Sequence, residues 1–173
     1  MVRRWSDLVR RWWVWAGAAG LVLLGLVIWL NWPEPEPPRA RPYLNYTACL
    51  LTDAQGLAGP TASRAWAGLQ DASLATHARV QYLPVAGEPT VGNAMPYLAS
   101  LLQRQCAVVV AVGPAQVAAV DAEAAKYPGV RFATVGGSAS AANVTPLTGL
   151  PDTVLRERIR KLVTDAVHAA SPR

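Results

Sequence analysis

The sequence predicts an α/β fold: a single Rossmann-like three-layer domain on a parallel sheet of four to five strands, order 2-1-3-4-5, preceded by one transmembrane helix. Three observations carry this. From residue 43 onward, short apolar runs alternate with amphipathic stretches of helical length, the pattern of βαβ units with right-handed crossovers. One of those runs, Cys106–Val112 (CAVVVAV), is apolar on both faces, as a central strand of a covered parallel sheet must be. Far upstream, Trp12–Trp32 (WWVWAGAAGLVLLGLVIWLNW) is uncharged and long enough, at about 1.5 Å per residue, to cross a hydrocarbon core roughly 30 Å thick.

Taken in order, residues 1–11 form a basic flank. Arg3, Arg4, Arg10 and Arg11 all precede the apolar stretch and no comparable cluster follows it at once, which places the N-terminus in the cytoplasm and the remainder outside. Residues 12–32 are the span, with Trp12, Trp13 and Trp15 at one interface and Trp29 and Trp32 at the other. A cleaved signal peptide would end in small residues; this run ends in Ile28, Trp29, Leu30, Asn31 and Trp32, and an uncleaved signal anchor is expected. Residues 33–42 (PEPEPPRARP) hold too much proline for helix or ladder and form an extended polyproline-like spacer.

Residues 43–173 are the extracytoplasmic domain, long enough for one core and not two. A strand is expected over Tyr43–Leu51, then a helix from Pro60, a plausible first-turn proline, to about Thr76 with Ala62, Ala65, Trp66, Leu69 and Ala72 on one face. Arg79–Leu83 is a second strand, Gly92–Arg104 a second helix and Cys106–Val112 the third strand. Pro114–Tyr127 is a helix stopped by Pro128 and Gly129; Val130–Val135 is a fourth strand, Asn143–Leu147 a short fifth and Asp152–Ala170 the last helix.

The net charge of +5 reflects the cytoplasmic flank, with the other basic residues scattered among acids, and points to no nucleic-acid partner. Arg156, Arg158, Arg160 and Lys161 are expected on the solvated side of the last helix, opposite Leu155, Ile159, Leu162 and Ala166. Cys49 lies inside the first strand and Cys106 opens the third. These strands are neighbours in a sheet ordered 2-1-3, about 4.8 Å apart, so the sulfurs meet if the register brings them level and otherwise stand as two small buried hydrophobes. On the outer side of a membrane such a bond persists, with a structural role. The sequons at Asn45 and Asn143 are assigned no modification.

In such sheets ligands bind beyond the carboxyl ends of the strands. Those ends are Thr52 and Asp53, Pro84, Gly113 and Pro114, and Gly136–Ser138. Asp53 is the one charged group at any of them, either a hydrogen-bond acceptor for a sugar hydroxyl or amine or the closure of an Asx turn. Gly136-Gly137-Ser138 is either a backbone nest for an anion or a flexible loop. Neither a G-x-G-x-x-G fingerprint nor a P-loop is present, so no nucleotide cofactor is expected. His77 and His168 both fall away from the strand ends, no serine sits in a nucleophile elbow, and no metal-ligand cluster is apparent. The expectation is a protein that is not an enzyme.

Thr52-Asp53, Gly56, the Ala65-Trp66-x-Gly68-Leu69 run, Gly113, and the Ala124-Ala125-x-Tyr127-Pro128 element that leads to Phe132 together resemble the basic membrane protein family of substrate-binding lipoproteins. These have the type 1 periplasmic-binding-protein fold and serve ABC transporters, and several bind nucleosides. The resemblance spans most of residues 43–150 and implies an N-terminal lobe in which Asp53, Thr52, Gly113 and Gly136 face a ligand. It departs in two places: the family's Ser-Phe-Asn segment is here Pro60-Thr61-Ala62, and no second lobe follows. The implied function is a membrane-anchored solute-binding-like domain for ligand sensing or transporter-linked substrate binding; the alternative is a structural module that docks another membrane or envelope protein without a small ligand.

Overall fold

The computed structural model describes residue 26, residues 43–138 and residues 141–170. The predicted basic flank, the span apart from Leu26 and the proline-rich spacer lie outside the described residues. Among the described residues no helix is long and apolar enough to cross a membrane.

Among the described residues the domain has nine strands and α-helices: β1 (Thr47–Thr52), α1 (Pro60–Thr76), β2 (Arg79–Pro84), α2 (Val91–Gln103), β3 (Cys106–Val112), α3 (Pro114–Glu123), β4 (Arg131–Val135), β5 (Val144–Pro146) and α4 (Asp152–Ala170). The five strands form one parallel sheet in the order β2-β1-β3-β4-β5, as expected. The first strand starts four residues later than its apolar pattern suggests. Residues 43–46 run beyond the starts of both neighbours, at Arg79 and Cys106; they hold only two main-chain hydrogen bonds on the β2 side, Leu44 N–H to the His77 carbonyl at 2.9 Å and Arg79 N–H to the Tyr46 carbonyl at 2.8 Å, and no registered pair. The third helix is also shorter than predicted: it tightens into a 3-10 turn over Ala124–Lys126 before Tyr127 and Pro128 end it.

Side-chain alternation sends each central strand to two cores. Ala48, Leu50, Val108, Val110 and Ala133 face α1 and α4, whereas Cys49, Leu51, Val109, Ala111 and Phe132 face α2 and α3. All ten are fully buried, so the unbroken apolar runs of β1 and β3 follow from cover on both faces. Prolines open α1 and α3, where a missing N–H costs nothing. Thr90 caps α2 by accepting from the Asn93 N–H at 3.2 Å.

Helices α1 and α4 lie unusually close. A Cβ built on Gly68 would stand 2.5 Å from the Arg156 carbonyl oxygen and 3.1 Å from the Ile159 Cβ, so hydrogen alone fits there. The same crossing is bridged at its rim, where Arg156 Nε and Nη2 donate to the Asp71 carboxylate at 2.6 and 2.8 Å. Arg64–Asp152 adds a second pair at 2.9 Å.

The Arg156 hydrogen bond holds the Asp71 carboxyl below its ordinary value. The folded state therefore binds that proton less readily than the unfolded chain. Its contribution is present above the ordinary carboxylate pKa and is lost as pH falls through the lowered one. Asp71→Asn is expected to flatten the acid limb of the stability curve below about pH 4, by a small amount because the pair is partly exposed. Urea unfolding across that range checks this; curves that superimpose would show that the bridge contributes nothing.

Candidate functional site

The carboxyl ends of β1, β3 and β4 form the candidate site, as the doubly wound topology requires. Strand order reverses between β1 and β3, so the loops after Thr52 and Val112 diverge over that point. Asp53 and Gly113 are adjacent there: a side chain at Gly113 would come within 3.7 Å of the Asp53 Cβ. Gly113 has φ 110°, a conformation that residues with a Cβ rarely adopt, and it serves as N-cap of α3.

Beside it, Gly113, Val117, Asp121, Gly136, Gly137 and Ser138 line an open cavity of about 690 Å³ between the β3 and β4 loops. Three of these are glycines: a Cβ at Gly136 would meet nothing within 4 Å, whereas at Gly137 it would stand 2.6 Å from Val117 and 2.9 Å from the Thr134 hydroxyl. Beneath the cavity, the Thr134 hydroxyl is fully buried and has no hydrogen-bond partner among the described residues. Gln116 is 2 % exposed. Its Oε1 lies so close to Gly113 that a Cβ there would overlap it, at 2.5 Å.

The four predicted ligand-facing residues fare differently. Gly113 and Gly136 line the same cavity. Asp53 lies next to Gly113 but outside that cavity, and its Oδ1 accepts from the Gln55 N–H at 3.0 Å, closing an Asx turn. Thr52 is fully buried and its hydroxyl donates to the Asp53 carbonyl at 3.1 Å, so no face of it is presented to solvent. Gln116 and Thr134 were not legible as site residues in the sequence. For Gln116 the available signal was a polar residue in an otherwise apolar stretch one turn past a strand end; Thr134 lies inside β4 and carried none.

Among the described residues no group of histidine, cysteine or carboxylate side chains could hold a metal ion. His77 takes the left-handed C-cap of α1 at φ 61°, and His168 is exposed in the last turn of α4. Asn143 donates through Nδ2 to the carbonyls of Ala124, Tyr127 and Val130, each at 2.9 Å, so it staples the α3–β4 turn to the start of β5.

Cys49 and Cys106 are bonded, with their Cα atoms 5.9 Å apart. The register does not bring them level: Cys49 faces Val109, and Cys106 faces Thr47. A register shift between Thr47 and Ala48 leaves Ala107 unpaired, and this bulge turns Cys106 onto the face that Cys49 occupies. The Gln81 side-chain amide, on β2, contacts both sulfurs at 3.2 and 3.3 Å.

No protein-family model matches the chain, and no curated protein matches it. Among solved structures it is similar to a crystallised fragment from Peptoclostridium difficile 630 described as a lipoprotein, with a TM-score of 0.58 and 14% identity over 70% of this chain and 98% of that one. A transcriptional activator of the comK gene from Bacillus halodurans matches at a TM-score of 0.48 and 18% identity, over 58% of this chain and 33% of that chain. At these identities the likeness is one of fold: an α/β domain with a five-stranded parallel sheet, shared with a protein described as a lipoprotein.

Proposed function

We propose that this protein is a membrane-tethered, extracytoplasmic solute-binding-like lobe of the basic membrane protein type, non-catalytic, that presents a small, nucleoside-like solute to an ABC transporter or senses it. The observation that carries the reading is the open cavity at the carboxyl ends of β3 and β4, lined by Gly113, Gly136 and Gly137. The fold likeness to a protein described as a lipoprotein supports it, and so does the Cys49–Cys106 bond, which suits the oxidising side of a membrane.

A thermal-shift screen of the full chain in uncharged detergent against nucleosides, sugars and amino acids tests it. A ligand present at a hundred times its Kd adds about 2.7 kcal/mol, enough to raise the melting temperature by on the order of 10 °C. A flat response across all three classes would sink the solute-binding reading. A second reading, a module that docks another envelope or membrane protein, is favoured by one observation: Asp53 and Thr52 spend their side chains on their own loop. Recovery of a stoichiometric membrane-protein partner together with a flat thermal screen would decide for it.

A further inference from the structure

At the opposite, amino end of the sheet lies a second cavity, of about 510 Å³, along the β2 edge. Arg79 opens β2 and Arg104 caps the end of α2, and both line it, together with the hydroxyl-bearing Tyr43, Thr47 and Ser73 and with Gln81. No carboxylate is among the lining residues, and neither arginine enters an ion pair among the described residues. Arg64, Lys126, Arg156, Arg160 and Lys161 each hold an acid, and the cavity that Arg131 and Arg158 line includes Asp165, so the absence of any carboxylate sets this cavity apart from that one.

The described residues carry nine basic groups against eight acidic ones, so two unpaired guanidiniums on one cavity are a local excess in a nearly neutral domain. The C-terminal ends of α1 and α2 both point here, and helix carbonyl ends favour nearby cations.

We infer that this cavity is a phosphoryl-binding site, which takes a phosphate monoester or diester between Arg79 and Arg104. Two planar forks match a tetrahedral oxyanion bidentately, and the hydroxyls of Tyr43, Thr47 and Ser73 supply donors for its remaining oxygens. A carboxylate has two oxygens in one plane and would leave part of this donor set idle. The site does not depend on the solute-binding reading, since it lies at the other end of the strands.

A phosphoryl group can come from a lipid headgroup or from free phosphate, and two titrations of the full chain in uncharged detergent separate them. One uses inorganic phosphate and the other dihexanoyl phosphatidylglycerol, both by calorimetry at constant ionic strength. Saturable binding of at least one is expected. Tenfold tighter lipid binding assigns the site to headgroups, and the reverse assigns it to soluble phosphate. The Arg79→Gln/Arg104→Gln double variant is expected to lose at least tenfold in affinity, and Arg79→Lys/Arg104→Lys to fall between it and the natural chain. Arg158→Gln, which removes an exposed arginine elsewhere, should bind normally. Absence of saturable binding to either ligand overturns the assignment, as does a folded double-glutamine variant, checked by circular dichroism, that binds as well as the natural chain.

Discussion

Removal of the Cys49–Cys106 bond is expected to lower the stability of the domain by about 4 kcal/mol and its melting temperature by on the order of 15 °C. The bond joins residues separated by 57 positions, so it removes a large share of the unfolded chain's freedom. Both half-cystines are within 1 % of complete burial, and β1 and β3 are already hydrogen-bonded neighbours, so the folded state changes little when the bond opens. Thermal unfolding with and without reductant, and of the Cys49→Ala/Cys106→Ala variant, measures the difference. The two routes should agree to within the small cavity term that alanine adds. A loss of less than about 1 kcal/mol by both would mean that the reduced, unfolded chain is already compact across this loop.

The second large effect is a reversal of sign. Alanine in place of glycine inside an exposed helix normally gains about 1 kcal/mol. Gly68→Ala is instead expected to cost about 2 kcal/mol or more, because its methyl would meet the Arg156 carbonyl at 2.5 Å and backbone cannot swing aside as a side chain can. Helices α1 and α4 would have to separate along their whole crossing, loosening Leu69, Leu155, Ile159 and Val163 together. Urea unfolding of Gly68→Ala, with Gly92→Ala as comparison, tests this. A Cβ at Gly92 meets nothing within 4 Å, so that change reports helix propensity alone. Equal effects at the two positions would refute the close-approach account.

Most of the fold was legible because burial on both sides of a parallel sheet leaves a signature that no other element produces. The run Cys106–Val112 could be placed to the residue, as could α1 and α4, whose starts are marked by Pro60 and Asp152. What the pattern could not convey was pairing. Residues 43–46 read as strand but only reach the lead-in to β2, through Leu44 N–H to the His77 carbonyl and Arg79 N–H to the Tyr46 carbonyl, and have no partner on the β3 side. The bulge at Ala107 puts Cys106 on the other face from the one that strict alternation from Val108 gives it. The motif glycine at position 68 was legible as part of a resemblance, whereas its reason, the passage of another helix's main chain, lies 88 residues away in sequence at Arg156.

The candidate site was legible only as a location. Topology fixed the carboxyl ends of the strands as the place, and Gly113 and Gly136 do line one cavity. Asp53 resolves into the local turn that its residue type equally permits, since an aspartate two residues before a free N–H satisfies it at no entropic cost beyond the loop itself. Gln116 stands out in its alanine-rich helix as a polar residue one turn past a strand end, but that signal does not tell an inward side chain from a solvated one.

The position of the crosslink also decides how the domain answers a pull. Tension entering through the chain ahead of Tyr43 can draw out only residues 43–48 before it reaches Cys49, where the covalent bond hands it across to Cys106 and β3. The intervening α1, β2 and α2 form a closed loop that carries no load, so the edge of the sheet cannot be unzipped from its N-terminal side. A pull applied ahead of Tyr43 is in this way borne by the central strand, and it would lengthen the chain by far less than its residue count implies.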